Sequence, residues 1–426
     1  MCNIQQDLWE LFIYMHYFKH SELEKKYRVS LKTIHNWIDA AKLNKLSLRL
    51  HVEHGRTYIA NTPANVTALE ELAQQGKKYR NSRFHKTVTP NPAFYEYYTH
   101  RQILEMISNM EVRREIPFKY SYLDGGATKW ENVVTHMEDQ KGTNNLNGTI
   151  NLINANLGAI DMLLDGHSRV NVVDVGLGNA RPSKELIGHL VNRGILHRYI
   201  GVDISQAMLD IADRNVKEWF GGKVKFEGHV RDIDFERFDD LLMSDMLGDQ
   251  ANETINLVLL LGGTPVGFPS FSEAFRIIHG SMGVNDLLLF TGKPDTEASR
   301  RYFDFSRIQE TSPFPPIVRF LPELMGIDPS LYDAEMGYDE QKRMRFMRIR
   351  LKTALTIDFQ FKEGSRKVSL EKGDVLLLWR AWHLTSLEMI SALEDRGFKL
   401  LQAGSTKNRQ YMITIFGINT QHSLDS

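Results

Sequence analysis

The chain has 426 residues, 42% of them hydrophobic and 25% charged, and a formal net charge of -1. That length exceeds what one hydrophobic core usually organises, so two or three domains are expected. A single cysteine, Cys2, excludes an internal disulfide framework and suits a reducing, cytoplasmic setting.

Charge is spread unevenly. Residues 1–90 carry 14 Lys and Arg against 8 Asp and Glu, and the rest of the chain carries 38 against 45. A basic head on an acidic body predicts either a polyanionic partner, because phosphate contacts release counterions, or an ordinary solvated surface. Near the start, Trp9, Leu11, Phe12, Ile13 and Tyr14 make an apolar run. Asp7 and Glu10 stand where a secretory signal would carry basic residues, so the run is expected to be a helix of the first domain. The apolar run at 257–261 is far too short to span a bilayer, and no membrane association is expected.

Ser21-Glu22-Leu23-Glu24 opens a helix, and Val29-Ser30 breaks it. Ser30 is placed to cap a second helix, in which Leu31, Ile34, Trp37 and Ile38 recur at helical spacing. Residues 48–52 alternate like a strand, and His54-Gly55 turns the chain back through Ile59. This order resembles the winged helix-turn-helix of excisionases and MerR-type regulators over residues 20–60. The resemblance implies duplex DNA as a partner, with Lys32, Thr33, His35 and Asn36 in a major groove and Arg49 and Arg56 of the hairpin on phosphates. One such domain covers little DNA, so binding implies a homodimer. A small protein-interaction module is the alternative.

A helix is expected over 66–75. The basic stretch 76–86 follows, with Tyr79 and Phe84 interleaved, and Pro90 and Pro92 mark a boundary. The expected division is a winged helix-turn-helix with linker over 1–90 and a connecting segment over 91–145. A Rossmann core over 146–300 follows, then a substrate-binding insertion with the last core strands over 301–426.

From residue 145 strands and helices alternate. Residues 169–175 form a β-branched run ending at Gly176-Leu177-Gly178-Asn179-Ala180, and a helix follows near Pro182. A second strand ends on Asp203, and Ile204-Ser205 leads into the next helix. A third strand over 223–227 precedes Val230-Arg231-Asp232, and a fourth covers 255–261. This βαβαβ order predicts an α/β, doubly wound parallel sheet with its ligand at the carboxyl ends of the strands. The third glycine of the dinucleotide fingerprint is missing, its place taken by Arg181, which disfavours a pyrophosphate there. Glycines let the backbone approach a ligand, and the acid ending the second strand is placed to accept ribose hydroxyls. Asp232 is placed for an exocyclic adenine amine. Together these point to S-adenosylmethionine (SAM).

Four motifs, in order over residues 115–418, resemble the histidine Nα-methyltransferases of ergothioneine synthesis. They are Ile116-Pro117-Phe118-Lys119-Tyr120-Ser121-Tyr122-Leu123-Asp124-Gly125-Gly126-Ala127, Asp174-Val175-Gly176-Leu177-Gly178-Asn179-Ala180-Arg181, Leu261-Gly262-Gly263-Thr264-Pro265-Val266-Gly267-Phe268 and Arg301-Tyr302-Phe303-Asp304. The resemblance implies a Rossmann-like SAM-dependent methyltransferase. Tyr122, Gly176, Gly178, Asp203, Ser205 and Asp232 would hold the cofactor, and Tyr302 would be the catalytic-site residue orienting or deprotonating the nucleophile. The chain departs from the family at the substrate. Gly267 stands where the family has an asparagine, Trp379 and Ala381 replace a glutamate and a serine, and Pro182 replaces a basic residue. Losing those polar contacts argues against free histidine. The expected acceptor is an N or O nucleophile on another small molecule or peptide, against an aromatic wall suited to a flat or hydrophobic group. The alternatives are a SAM-binding, DNA-binding regulator and a nucleic-acid-directed methyltransferase. The 15 histidines lack ligand spacing, and no metal is expected.

Overall fold

The computed structural model describes residues 17–83, 85–140, 144–243, 251–263, 267–300, 309–310 and 314–420. The chain separates into two compact units, Met1–Lys86 and Thr87–Ser426.

In the first unit, helices His20–Tyr27 and Leu31–Lys42 are joined by a tight turn. Arg28 leaves the first helix in the left-handed region (φ 51°), and Ser30 caps the second, its hydroxyl accepting from the Thr33 amide at 3.3 Å. Strands Leu50–Glu53 and Arg56–Ala60 form an antiparallel hairpin, and Tyr17–Phe18 adds a third strand beside the second. Leu23, Ile34, Ile59 and Leu69 are fully buried between these elements. Asn65 ties the hairpin to the last helix, donating to the Arg49 and Ala60 carbonyls at 2.8 Å each. That helix runs Pro63–Arg83, so most of the stretch expected as a linker is helical.

The second unit is built on a seven-stranded sheet: β1 (Arg169–Val175), β2 (Leu196–Asp203), β3 (Phe226–Val230), β4 (Thr254–Leu260), β5 (Leu287–Gly292), β6 (Phe398–Ser405) and β7 (Met412–Ile418). The strands lie in the order β6-β7-β5-β4-β1-β2-β3. The first five are parallel, while β7 runs antiparallel between β5 and β6. β1 and β4 are buried along almost their whole length because helices cover both faces. Val170 and Val172 pack on one side, with Leu186 and Leu190 of the helix Lys184–Asn192, and Val173 and Val175 on the other, with Phe275 and Ile278 of Phe271–Ser281. The third strand sits at 226–230, about three residues later than the sequence pattern suggested, because Lys223 belongs to the turn after Gly221-Gly222. The chain order reverses direction between β1 and β4, which opens a crevice at their carboxyl ends.

Two further parts flank the sheet. Before it, helices Pro92–Tyr97 and His100–Arg113 and the 3-10 turn Phe118–Tyr122 share a core with the helix Pro316–Leu324 and the hairpin Ala354–Phe361 with Gly364–Leu370. Between β5 and β6, strands Tyr332–Asp339, Met344–Leu351 and Val375–Trp382 pair antiparallel. No helix among the described residues is long and apolar enough to cross a membrane.

Candidate active site

The glycine loop after β1 requires its glycines. Gly176 and Gly178 sit at φ 64° and 58°, where a side chain is strained, and the Gly176 amide donates to the Val202 carbonyl at 2.8 Å, tying the loop to β2. Asp203 ends β2 beside this loop. Its Oδ1 accepts from the Ser205 amide at 3.0 Å, and the carboxylate lies within reach of the Gly178 and Ile204 amides. Burial pushes the Asp203 pKa up to about 6 against the pull of those three donors. Ser205 contributes its amide to Asp203, while its hydroxyl caps the helix Gln206–Phe220 by accepting from the Met208 amide.

Tyr122 reaches the same place from the 3-10 turn. Burial raises its pKa, and so does the charge of Asp203. Trp130 meets Tyr122 edge-on at 5.4 Å, and a Cβ added at Gly178 would come within 3.1 Å of Trp130 Nε1. The turn can fold this closely onto the following helix because residue 126 is glycine: a Cβ there would stand 1.9 Å from the Ser121 carbonyl oxygen. Tyr122, Gly178, Asp203 and Ser205 are thus brought together, with Gly176 held one step away.

Asp232 follows β3 and is not a bare carboxylate. Its Oδ2 accepts from Lys119 Nζ at 2.8 Å and its Oδ1 from the Asp234 amide at 3.2 Å. Sequence reasoning passed over Lys119, which a lysine inside an otherwise apolar and aromatic motif could have signalled. It also passed over Asp174, buried at the end of β1. Burial raises the Asp174 pKa to about 6, opposed by hydrogen bonds from Ser183 and Tyr199; the Tyr199 hydroxyl donates at 3.0 Å.

The predicted substrate positions lie on the loop after β4 and on the strand Val375–Trp382. Gly267 is exposed, and the carbonyl of its neighbour Phe268 accepts from Trp382 Nε1 at 2.8 Å, so the loop after β4 meets the strand Val375–Trp382. Trp379 and Ala381, two apart, share a face of that strand. The wall they make is not simply aromatic. Arg345 pairs in register with Ala381 and lies 5.6 Å over the Trp379 ring, and burial lowers its pKa to about 10. Lys293, directly after β5, is lowered by burial and by Arg345. Close by, His383 Nδ1 lies 3.1 Å from the buried Asp295 carboxylate, which Arg300 also grips at 2.6 Å through each oxygen. The expectation is a flat hydrophobic acceptor; the structure sets a cation over the tryptophan ring. Tyr302 lies outside the described residues.

The sheet, parallel through its first five strands with an antiparallel seventh strand between β5 and β6, is Rossmann-like. No family model and no curated protein matches the sequence. Among solved structures, a SAM-dependent methyltransferase from Clostridium acetobutylicum is similar at 11% identity and a TM-score of 0.38, covering 68% of this chain and 99% of its own. Magnesium protoporphyrin IX methyltransferase from Synechocystis, with S-adenosylhomocysteine (SAH) bound, is similar at 12% identity and a TM-score of 0.37, covering 70% and 96%. A SAM-bound amino pentose methyltransferase from Micromonospora echinaspora follows at 12% and 0.35, covering 68% and 96%.

Proposed function

We infer that the second unit is a SAM-dependent methyltransferase whose acceptor is a small molecule or peptide other than free histidine. The observation that carries this is the meeting of Tyr122, the positive-φ glycine loop and the buried Asp203 carboxylate at the carboxyl ends of β1 and β2. The residues fit the cofactor. Asp203 offers lone pairs to ribose hydroxyls, the bare glycine backbone admits a ligand, and Asp232 accepts from an adenine amine. Bound there, SAM supplies an electrophilic methyl group. The chain's own part is to hold a neutral nucleophile in line, away from water. Tyr302 remains the proposed orienting residue, with Gly267, Trp379, Ala381 and the cationic group at Arg345 lining the acceptor side. Calorimetry with SAH on the full chain tests the assignment: micromolar binding is expected, and no binding refutes it.

The first unit supports a second element of the proposal, a winged helix-turn-helix that binds duplex DNA. Lys32, His35 and Asn36 are exposed on one side of the second helix, and Arg49 and Arg56 are exposed at the hairpin. Thr33 differs, because its hydroxyl is engaged with Ser30 at 3.0 Å at the helix start. A gel-shift series with the full chain at several salt concentrations decides the matter. Retardation that weakens steeply with salt is expected, and none at low salt ends the DNA assignment.

A further inference from the structure

One short turn serves both carboxylates assigned to the cofactor. Phe118–Tyr122 places Tyr122 beside Asp203 and, one helical turn earlier, Lys119 on Asp232. The Lys119 ammonium makes three carboxylate contacts: Asp232 at 2.8 Å, Glu105 at 2.9 Å and Asp234 at 3.0 Å. It also lies 4.7 Å from the centre of the Phe235 ring. The four side chains of the ion cluster are each about four-fifths buried, so these charges are poorly screened. Glu105 is anchored in turn by the Tyr120 hydroxyl at 2.8 Å.

We propose that Lys119 is a positioning residue that sets the purine identity of the cofactor, by clamping Asp232 as an oriented, ionised acceptor for a 6-amino group. The inference rests on the cofactor assignment above. A carboxylate oxygen carries two acceptor sites, so Asp232 can hold Lys119 and the Asp234 amide and still accept from an adenine amine. A 6-oxo purine presents an acceptor at the same place and meets a fixed negative charge. The clamp keeps that charge. Burial works against the Lys119 ammonium, but Asp234, Asp232 and Glu105 outweigh it and raise its pKa. Burial pushes the Asp234 carboxyl up, and Lys119 pulls it back. Without the ammonium, Glu105, Asp232 and Asp234 crowd one another with Glu236 close behind, since Glu236 accepts from the Asp232 amide at 3.0 Å. Their mutual repulsion then pushes Asp232 out of its fixed orientation. An Asp232 carboxylate no longer held in place can turn away from a 6-oxo group, and discrimination falls.

The test is calorimetry on the full chain with SAH and its deaminated analogue, S-inosylhomocysteine. The natural chain should prefer SAH at least about tenfold, as expected for a site that leaves a polar group unmatched. Lys119→Met and Lys119→Gln should bring the preference below about threefold, and Lys119→Arg should restore it. Asp232→Asn, in the presence of Lys119, should also erase the preference, which covers the case in which neither neutral variant folds. A merely structural lysine would weaken both ligands alike and leave their ratio intact; that result in folded Lys119→Met or Lys119→Gln, or an unchanged ratio in Asp232→Asn, overturns the proposal. A natural chain that binds SAH without preference overturns it while leaving the cofactor assignment standing. A natural chain that binds neither overturns both.

Discussion

Replacing Asp203 tests the site most directly. The carboxylate is buried at the end of β2, already accepts from the Ser205 amide, and has a pKa of about 6. If it also takes the two ribose hydroxyls, each bond to a charged acceptor is worth about 1.5–3 kcal/mol, and water recovers part of that on removal. Asp203→Ala should therefore weaken SAH by about 3 kcal/mol, or about 150-fold. Asp203→Asn keeps an acceptor oxygen but no charge and should lose about tenfold. The pH dependence has a definite sign. Ribose donors favour the ionised form, so affinity should be full above pH 6 and fall as the carboxyl protonates, to about one tenth at pH 5. Asp203→Asn should remove that limb. Stability runs the other way. The folded pKa lies above the ordinary 3.8, so folding holds the proton longer and stability declines as pH rises from about 4 to about 6. Calorimetry with SAH from pH 5 to 8 on the natural chain and both variants is the assay. An Asp203→Ala dissociation constant within about threefold of the natural chain's would refute the ribose assignment.

Incubation with labelled SAM and free histidine should yield no trimethylated product at a useful rate, because Gly267, Trp379 and Ala381 offer none of the three expected polar contacts; ready formation would overturn the account of the pocket. Gly126→Ala should destabilise the second unit by about 1–3 kcal/mol in denaturant melts, since its Cβ meets the Ser121 carbonyl at 1.9 Å, and an unchanged midpoint would count against that packing. Tyr199→Phe should cost about 1–3 kcal/mol by withdrawing a donor from the buried Asp174, and should raise the pKa of that group further, both readable in melts from pH 5 to 8. In gel shifts of the full chain, Arg56→Ala should lower the salt slope by about one and weaken all DNA sequences alike, whereas Asn36→Ala should alter sequence preference.

Much of this protein is legible in one dimension because the signals are local. The β-branched run into Gly176-Leu177-Gly178, the acid closing the second strand and the Ser30 cap each depend on residues within a few positions. Backbone sterics and strand periodicity therefore place β1, β2 and the start of the second helix without reference to the rest of the chain. The βαβαβ order also implied the parallel part of the sheet, while the antiparallel β7 departs from the expected all-parallel arrangement. Other features needed the folded chain. The basic stretch after Gln75 reads as a linker by composition, yet the helix continues to Arg83. That the Ser205 hydroxyl caps a helix while its amide holds Asp203 is visible only in the fold. The clamp of Lys119 on Asp232 joins residues 113 positions apart. The cation over Trp379 comes from the neighbouring strand, by a register that no local pattern encodes. Such contacts arise because packing brings remote side chains into one poorly screened space, where burial and neighbouring charge decide which groups remain ionised. Local pattern fixes most of the elements and the strand ends where Asp203 and Asp232 stand; packing fixes which of those acids are buried, which are already held, and what faces them.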